Sequence, residues 1–261
     1  MRGNETSRRA FSNPLLALCR LMCIGVWTSV LYCRYMAIRL FTRDRAARRR
    51  LAVAHAQGWF RGLYSISGIR ASASGTAPAP PVLLTPNHLG YLDIIALGAL
   101  CDTLFVSKAE VESWPIMGHL FKQTEGIAVS RGRARGVRVA NRRIVECLEE
   151  GLSVTVFLEG TSSGGGSVLP FHASLIQPAI DAGVPVVPAA IRWRTEDSAI
   201  DISEDVAYWG DHTLVPHLWR VLGLRGLRVE VHFGDAISPA DRDRKDLAQV
   251  ANEAVAALLN E

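Results

Sequence analysis

The chemistry of this chain is concentrated in the segment Thr85-Pro-Asn-His-Leu-Gly-Tyr-Leu-Asp93, which holds His88 and Asp93. Pro86 and Gly90 favour a bend between a strand and a helix, so the imidazole and the carboxylate can face each other. A carboxylate bound to one imidazole nitrogen leaves the other nitrogen free as a general base. The spacing therefore predicts a group that deprotonates a hydroxyl, although a histidine that only caps the helix would show the same pattern.

Four further segments place polar or charged residues after short apolar runs. They are Ser107-Lys-Ala-Glu110, Gly126-Ile-Ala-Val-Ser-Arg131, Phe157-Leu-Glu-Gly-Thr161 and Val184-Pro-Val-Val-Pro188. Together with the His88 segment, and in the same order, they resemble the sequence blocks of the glycerolipid acyltransferase family, which includes lysophosphatidic acid acyltransferases. The resemblance covers about residues 80–195, and the joint occurrence of the blocks is more specific than any one of them.

The resemblance implies an O-acyltransferase that moves a fatty acyl group from acyl carrier protein or coenzyme A. The expected acceptor is the sn-2 hydroxyl of 1-acylglycerol-3-phosphate, which gives phosphatidic acid in phospholipid biosynthesis. His88 would take the hydroxyl proton while Asp93 orients the imidazole. A thiolate leaves readily, so neither a metal nor another cofactor is expected.

The resemblance also implies binding residues around this pair. The residues expected to hold the acceptor head group are Lys108, Arg131, Glu159, Gly160 and Thr161. Pro185 and Pro188 are expected to shape the wall that binds the acyl chain. Plain alternatives remain open for these residues. Arg131 could be a solvated arginine, and Glu159 a carboxylate at a helix start. Pro185 and Pro188 could be prolines of an edge strand.

The third block departs from the family pattern Phe-Pro-Glu-Gly-Thr-Arg, because Leu158 replaces proline and Ser162 replaces arginine. Its continuation through Phe171 and the run from Tyr208 to Trp219 resemble a bacterial branch that includes lyso-ornithine lipid acyltransferases. An ornithine lipid carries a carboxylate and an amine rather than a phosphate, so it needs fewer cations. Lyso-ornithine lipid is therefore the alternative acceptor.

An alternative of another class is a serine hydrolase that uses Ser162. The run Gly160-Thr-Ser-Ser-Gly164 matches the pattern of a nucleophile elbow, and a strand is predicted before it. A helix should follow at once, but Gly164-Gly-Gly-Ser167 favours helix poorly.

The elements that must position these residues alternate between short apolar runs and helical patterns after a loop at Ala71–Pro81. The predicted strands are Val82–Thr85, Thr103–Ser107, Gly126–Val129, Ser153–Leu158, Val184–Trp193 and Leu227–Phe233. The predicted helices are Leu92–Leu100, Arg135–Glu150, Ser174–Ala182 and Pro239–Leu259, the last capped by Ser238. Continuous apolar strands predict an α/β fold, a mostly parallel or mixed sheet flanked by helices on both faces.

The amino-terminal segment differs from the rest, because residues 1–50 hold eleven arginines against Glu5 and Asp44. An uncharged apolar run from Leu21 to Cys33 lies between these arginines. We expect a membrane-associating helical arm over residues 1–66, a helix or a helix pair, before an acyltransferase domain over 67–261. A tilted span, or a helix packed on the domain's own core, is the alternative.

The expected partners are membrane lipids, the lysolipid acceptor and the acyl thioester, with no nucleic acid. The expected location is the cytoplasmic face of a bacterial inner membrane, with a monotopic or single-span anchor. The five cysteines form no C-x-x-C pair, and the histidines lack partners at metal-ligand spacing, so no metal site is predicted. We expect the cysteines to be small buried side chains.

Overall fold

The computed structural model describes residues 12–75, 78–130, 132 and 134–261. Within them the strands are β1 (Arg70–Ser74), β2 (Leu83–Pro86), β3 (Leu104–Lys108), β4 (Ile127–Val129), β5 (Val154–Thr155), β6 (Val186–Thr195) and β7 (Leu227–Phe233). The helices are α1 (Pro14–Phe41), α2 (Arg45–Ser67), α3 (Tyr91–Leu100), α4 (Met117–Gln123), α5 (Ala134–Glu149), α6 (Gln177–Ala182), α7 (Leu214–Gly223) and α8 (Arg244–Asn260). Short helical turns cover Ala109–Ser113, Ala173–Leu175 and Ile202–Val206.

The seven described strands form one sheet in the order β1-β7-β6-β2-β5-β3-β4. β6 and β7 pair antiparallel, and all other neighbouring strands pair parallel. The five strands β6, β2, β5, β3 and β4 therefore run in one direction. Their carboxyl ends meet at one end of the sheet, where open α/β sheets place their ligands.

Helices cover both faces of this sheet. Leu83 and Leu84 are neighbours in β2 and point to opposite faces, as alternate strand residues do. Leu84 packs in a core with residues of α2 and α3, whereas Leu83 packs with residues of α5, α6 and α8. The predicted α/β fold, a mixed sheet flanked by helices, is confirmed.

The arm is a pair of helices with defined ends. Asn13 caps α1, because its side chain accepts the N–H groups of the second and third helical residues, and Pro14 occupies the first position. Asp44 caps α2 through the N–H of Ala47, 2.7 Å away. α2 ends at Gly68, which adopts a left-handed φ of +65°. α2 packs directly on α3, so the arm and the domain are in contact. The division of the chain at residue 66 stays a prediction.

α1 leaves one side uncovered. It is long and apolar enough to cross a membrane, with a mean hydropathy of 1.8 over 18 residues, and only 11% of that window is buried. Leu15, Met22, Val26, Leu40 and Phe41 are among its exposed side chains. The opposite side of α1 packs on the domain's own core through Ile24 and Trp27. The membrane-binding role of α1 therefore stays a prediction.

Several predicted boundaries are corrected. Ala71–Pro81 is not all loop, because Arg70–Ser74 pairs with β7 as an edge strand of small and polar, exposed residues. The strand predicted at Ser153–Leu158 is limited to Val154–Thr155. Ser238 does not cap the last helix; Asp243 does, by accepting the N–H groups of the second and third helical residues. α4 and α7 were not predicted.

The cysteines are also not all buried. Cys101 and Cys147 are buried, whereas the three cysteines of α1 are exposed: Cys19, Cys23 and Cys33.

Candidate active site

The imidazole of His88 and the carboxylate of Asp93 face each other at the carboxyl end of β2. His88 Nδ1 lies 3.0 Å from Asp93 Oδ2. The same oxygen accepts the backbone N–H groups of Leu89 at 2.6 Å and Gly90 at 2.9 Å. An oxygen that already accepts two N–H groups acts as an acceptor towards the ring as well, so Nδ1 carries the proton. Nε2 of His88 is then the free basic nitrogen.

The carboxylate of Asp93 is held from two directions. Its second oxygen, Oδ1, accepts the indole N–H of Trp193 on β6 at 2.9 Å, and the residue is 0% exposed. Asp93 thus accepts four hydrogen bonds, which satisfy a carboxylate that would otherwise be costly to bury. It also lies in the first turn of α3, where a negative charge is favoured by the helix dipole.

The loop that carries His88 is fixed to the sheet by Asn87. The Asn87 side-chain oxygen accepts the N–H of Ile191 at 2.7 Å, and its amide donates to the Ile191 carbonyl at 3.1 Å. The His88 ring stacks on Phe157, with 3.9 Å between ring centroids and 25° between planes. The His88 side chain keeps 18% of its surface exposed, so a substrate can reach it.

Two other segments hold this loop. The N–H of Tyr208 donates to Leu89 O at 2.8 Å, and the N–H of Ser163 donates to His88 O at 3.0 Å. A Cβ at Gly90 would lie 2.8 Å from the backbone nitrogen of Tyr208, so a side chain there would displace backbone. The glycine at position 90 therefore permits a close approach of the two segments.

Glu159 is placed to hold the His88 loop. Its Oε1 accepts the backbone N–H of His88 at 2.9 Å, and its Oε2 accepts that of Leu169 at 3.3 Å. Burial raises the pKa of the Glu159 carboxyl from 4.5 to about 7, against the two N–H bonds, which lower it. The nearby negative charge of Asp93 raises the pKa further.

The other residues expected to bind the head group lie at the same end of the sheet or outside the described residues. Lys108 is the last residue of β3 and is exposed. Gly160 takes a left-handed φ of +74° and lines a cavity of about 260 Å³ with Phe157 and His172. Thr161 is exposed, and its hydroxyl donates to Ser162 O in its own turn at 3.5 Å. Arg131 lies outside the described residues.

The two prolines expected at the acyl chain are not brought together with His88. Pro185 precedes β6, and its carbonyl accepts the N–H of Leu83 at the amino end of β2, opposite the His88 end. Pro188 is buried within β6, in register with Thr85. β6 lies between β7 and β2, so it is not an edge strand and the edge-strand alternative is wrong. The acyl-wall role of the two prolines stays a prediction.

An apolar cavity of about 140 Å³ lies elsewhere, between α2, α3, β3 and α4. Phe60, Ile94, Phe105, Leu120 and Phe121 are among its lining residues. Tyr91, the first residue of α3, also lines it and lies three residues from His88. The cavity therefore reaches the start of the helix that follows the His88 loop.

Ser162 does not have the environment of a hydrolase nucleophile. Its hydroxyl donates to the carbonyl of Tyr208 at 2.5 Å, and no helix follows it before the short turn at Ala173–Leu175. No described histidine forms a hydrogen bond with this hydroxyl. The serine is a structural brace between two loops, and the nucleophile-elbow hypothesis is not supported.

The sequence did not show that three residues contact the His88 loop, namely Phe157, Trp193 and Tyr208. Trp193 comes from β6, one hundred residues after Asp93, and nothing local in the sequence pairs the two. Tyr208 and Phe157 lie in segments that resemble the family, and this resemblance was the one sequence signal that could have pointed to them.

Comparison with known proteins places this geometry in a family. A family model described as Acyltransferase matches residues 68–192. A lyso-ornithine lipid O-acyltransferase of Pseudomonas aeruginosa is 37% identical over 199 residues, covering 76% of this chain and 75% of that protein. A 1-acyl-sn-glycerol-3-phosphate acyltransferase of Neisseria meningitidis is 33% identical over 187 residues, covering 70% and 72%.

A solved structure extends the comparison to the whole fold. It is the 1-acyl-sn-glycerophosphate (LPA) acyltransferase PlsC from Thermotoga maritima, with a TM-score of 0.67 and 22% identity over 95% of each chain. At that identity the likeness shows the fold. The sequence relatives and the matching model together confirm the resemblance drawn from the sequence blocks, and this chain belongs to the acyltransferase family.

Proposed function

We propose that this chain acylates the sn-2 hydroxyl of 1-acylglycerol-3-phosphate, using an acyl thioester of acyl carrier protein or coenzyme A. The observation that carries the proposal is the His88–Asp93 pair, which leaves Nε2 of His88 free, in a chain of the acyltransferase family. The acceptor hydroxyl donates its proton to Nε2 while its oxygen attacks the thioester carbonyl carbon. Asp93 stabilises the imidazolium that forms.

The tetrahedral intermediate then expels the thiolate, and the proton on Nε2 passes to sulfur. The products are the ester and a free thiol, and His88 returns to its starting state. Because the thiolate is a good leaving group, the reaction requires no enzyme nucleophile, metal or other cofactor. The thioester is a co-substrate.

Head-group binding is proposed for the carboxyl ends of the strands beside His88. Lys108 at the end of β3, with Arg131 after β4 in the sequence, would supply positive charge. Gly160 and Thr161 follow β5, which lies between β2 and β3, and would form the wall between His88 and Lys108. Glu159 already accepts two backbone N–H groups, so we assign it to holding the catalytic loop rather than the ligand.

The acyl chain is better assigned to the apolar cavity between α3 and α4 than to Pro185 and Pro188. Its walls are side chains of phenylalanine, leucine and isoleucine, and it begins beside Tyr91. Binding an acyl chain there would remove apolar surface from water, about 0.8 kcal/mol for each buried methylene.

Membrane association is proposed through α1, lying along the surface of the membrane. At about 1.5 Å per residue its 28 residues reach about 42 Å. Both of its ends are tied to the domain, since the N–H of Asn13 donates to Gly223 O and the Tyr35 hydroxyl donates to Gln123 O. A helix held at both ends cannot project through a bilayer, so a monotopic anchor fits better than a span. The cytoplasmic face of a bacterial inner membrane is the proposed location.

Lyso-ornithine lipid is the second candidate acceptor. The relative from Pseudomonas aeruginosa acts on that class by name, and Ser162 stands where the family pattern has arginine. One cation fewer in the head-group region suits an acceptor without a phosphate.

A single acceptor panel tests the proposal. The purified full chain is placed in mixed micelles with an acyl thioester, and free thiol is followed with lysophosphatidate or lyso-ornithine lipid present. Acceptor-dependent thiol release with either lipid supports acyl transfer, and the faster lipid identifies the acceptor. Thiol release that is independent of both lipids would contradict the proposal.

A further inference from the structure

Helix α7 carries apolar side chains on its exposed side as well as on its buried side. His217 packs into the domain, whereas Val215 and Trp219, four residues apart, are 76% and 39% exposed. The single charged residue of α7 is Arg220, and it turns to Asp205, with 2.5 Å between Nη2 and Oδ1. A surface helix of a soluble domain normally presents charged residues to water. The outer face of α7 does not.

This face adjoins the uncovered side of α1. The N–H of Asn13, at the start of α1, donates to Gly223 O at 3.1 Å. Two turns further along, Arg20 Nη1 donates to the carbonyls of Leu222 at 2.9 Å and Leu224 at 2.6 Å. The last turn of α7 is therefore bound along the first two turns of α1. The two helices form one continuous surface.

The composition of this surface fits lipid. At this end of α1, Leu15 and Met22 are 72% and 65% exposed. Arg225, two residues after α7, is exposed near Arg20, and positive charge next to a bilayer attracts anionic head groups. Tryptophan favours the boundary between head groups and acyl chains, and Trp219 is the exposed tryptophan of α7. A bilayer with anionic lipids matches both the apolar and the basic parts.

We propose that α7 is a second lipid-contacting element, which inserts Val215 and Trp219 into an anionic bilayer beside α1. The proposal rests on the membrane association given under Proposed function and extends it from the arm to the domain itself. The segment before α7 includes Tyr208, whose N–H is bonded to Leu89 in the catalytic loop. Contact at α7 would therefore hold the His88 loop at a fixed height above the bilayer.

Fluorescence quenching tests this directly. The full chain is bound to vesicles of phosphatidylcholine and phosphatidylglycerol, with or without bromine on the acyl chains. The fluorescence of Trp219 is obtained by subtracting the fluorescence of Trp219→Phe from that of the native chain. The control is Val139→Trp in the Trp219→Phe background, because Val139 is 63% exposed on α5, on the opposite face of the sheet. We expect brominated lipid to quench Trp219 but not the control tryptophan, and acrylamide to quench only the control.

Quenching of Trp219 by acrylamide and not by brominated lipid would overturn the proposal. Protection from both quenchers would also overturn it, in favour of a second protein copy covering α7. Acyl transfer is measured in the same vesicles. If transfer continues while brominated lipid fails to quench Trp219, this proposal fails and the proposed function stands. Val215→Asp provides a second measurement: losing one buried valine, about 1.5 kcal/mol, should lower vesicle partition about tenfold. Val139→Asp should leave the partition unchanged.

Discussion

Replacing Asp93 by asparagine keeps the shape of this side chain and removes its charge. The amide oxygen must take the place of Oδ2, because that atom accepts N–H groups from His88, Leu89 and Gly90. The amide NH₂ then faces the indole N–H of Trp193, 2.9 Å away in the native chain, so two donors oppose each other. The imidazolium formed during the reaction also loses the negative charge beside it.

Breaking one partner of a buried charged pair costs about 3–5 kcal/mol. If that loss falls on the transition state, where the imidazolium exists, kcat decreases about 10²- to 10⁴-fold. KM for the acceptor should change little, because Asp93 does not face the head-group region. Thiol release at saturating thioester measures kcat, and Asp102→Asn, an exposed carboxylate at the end of α3, is the matched control. A variant with normal kcat and raised KM would refute the assigned role of Asp93.

Three further perturbations follow from the same contacts. Trp193→Phe removes one donor to the buried carboxylate, worth about 1.5–3 kcal/mol, so kcat should fall about 10- to 100-fold with the fold intact by circular dichroism; unchanged kcat would contradict this. Gly90→Ala places a Cβ against the backbone of Tyr208 and should lower the free energy of unfolding by about 1–3 kcal/mol, measured by urea titration, whereas an unchanged value would show that the segments separate freely. Because folding raises the pKa of Glu159 from 4.5 to about 7, the folded chain binds an extra proton in that window, and its stability falls as pH rises through it. The unfolding free energy of the native chain relative to Glu159→Gln should therefore decrease from pH 4.5 to pH 7, and a flat difference would be contrary evidence.

The parts of the fold that were predictable are those with local signals. β2, β3, β6 and β7 are apolar runs, and all were found within a few residues. β1 was missed because its residues are small and polar, and it exists through pairing with β7 at the far end of the chain. α7 was missed because it spans only ten residues and holds Pro216 in its first turn, and a proline in a short segment is easily taken for the end of a helix.

The candidate site divides in the same way. His88 and Asp93 are five residues apart across a bend, so their meeting follows from the sequence. The support from Trp193 depends on the position of β6 in the sheet, which no local pattern encodes. The resemblance supplied Glu159, but not its task, because its contact with the His88 backbone appears only when β5 lies next to β2.

The most direct test of the proposed mechanism is acceptor-dependent thiol release by His88→Ala, compared with His232→Ala. His232 lies on β7 beside Glu261 and serves as a control for the loss of an imidazole. With lysophosphatidate and lyso-ornithine lipid each supplied at saturation, His88→Ala should release no more thiol than the uncatalysed mixture, and His232→Ala should match the native chain. Acceptor-dependent release by His88→Ala at the native rate would show that another group takes the hydroxyl proton.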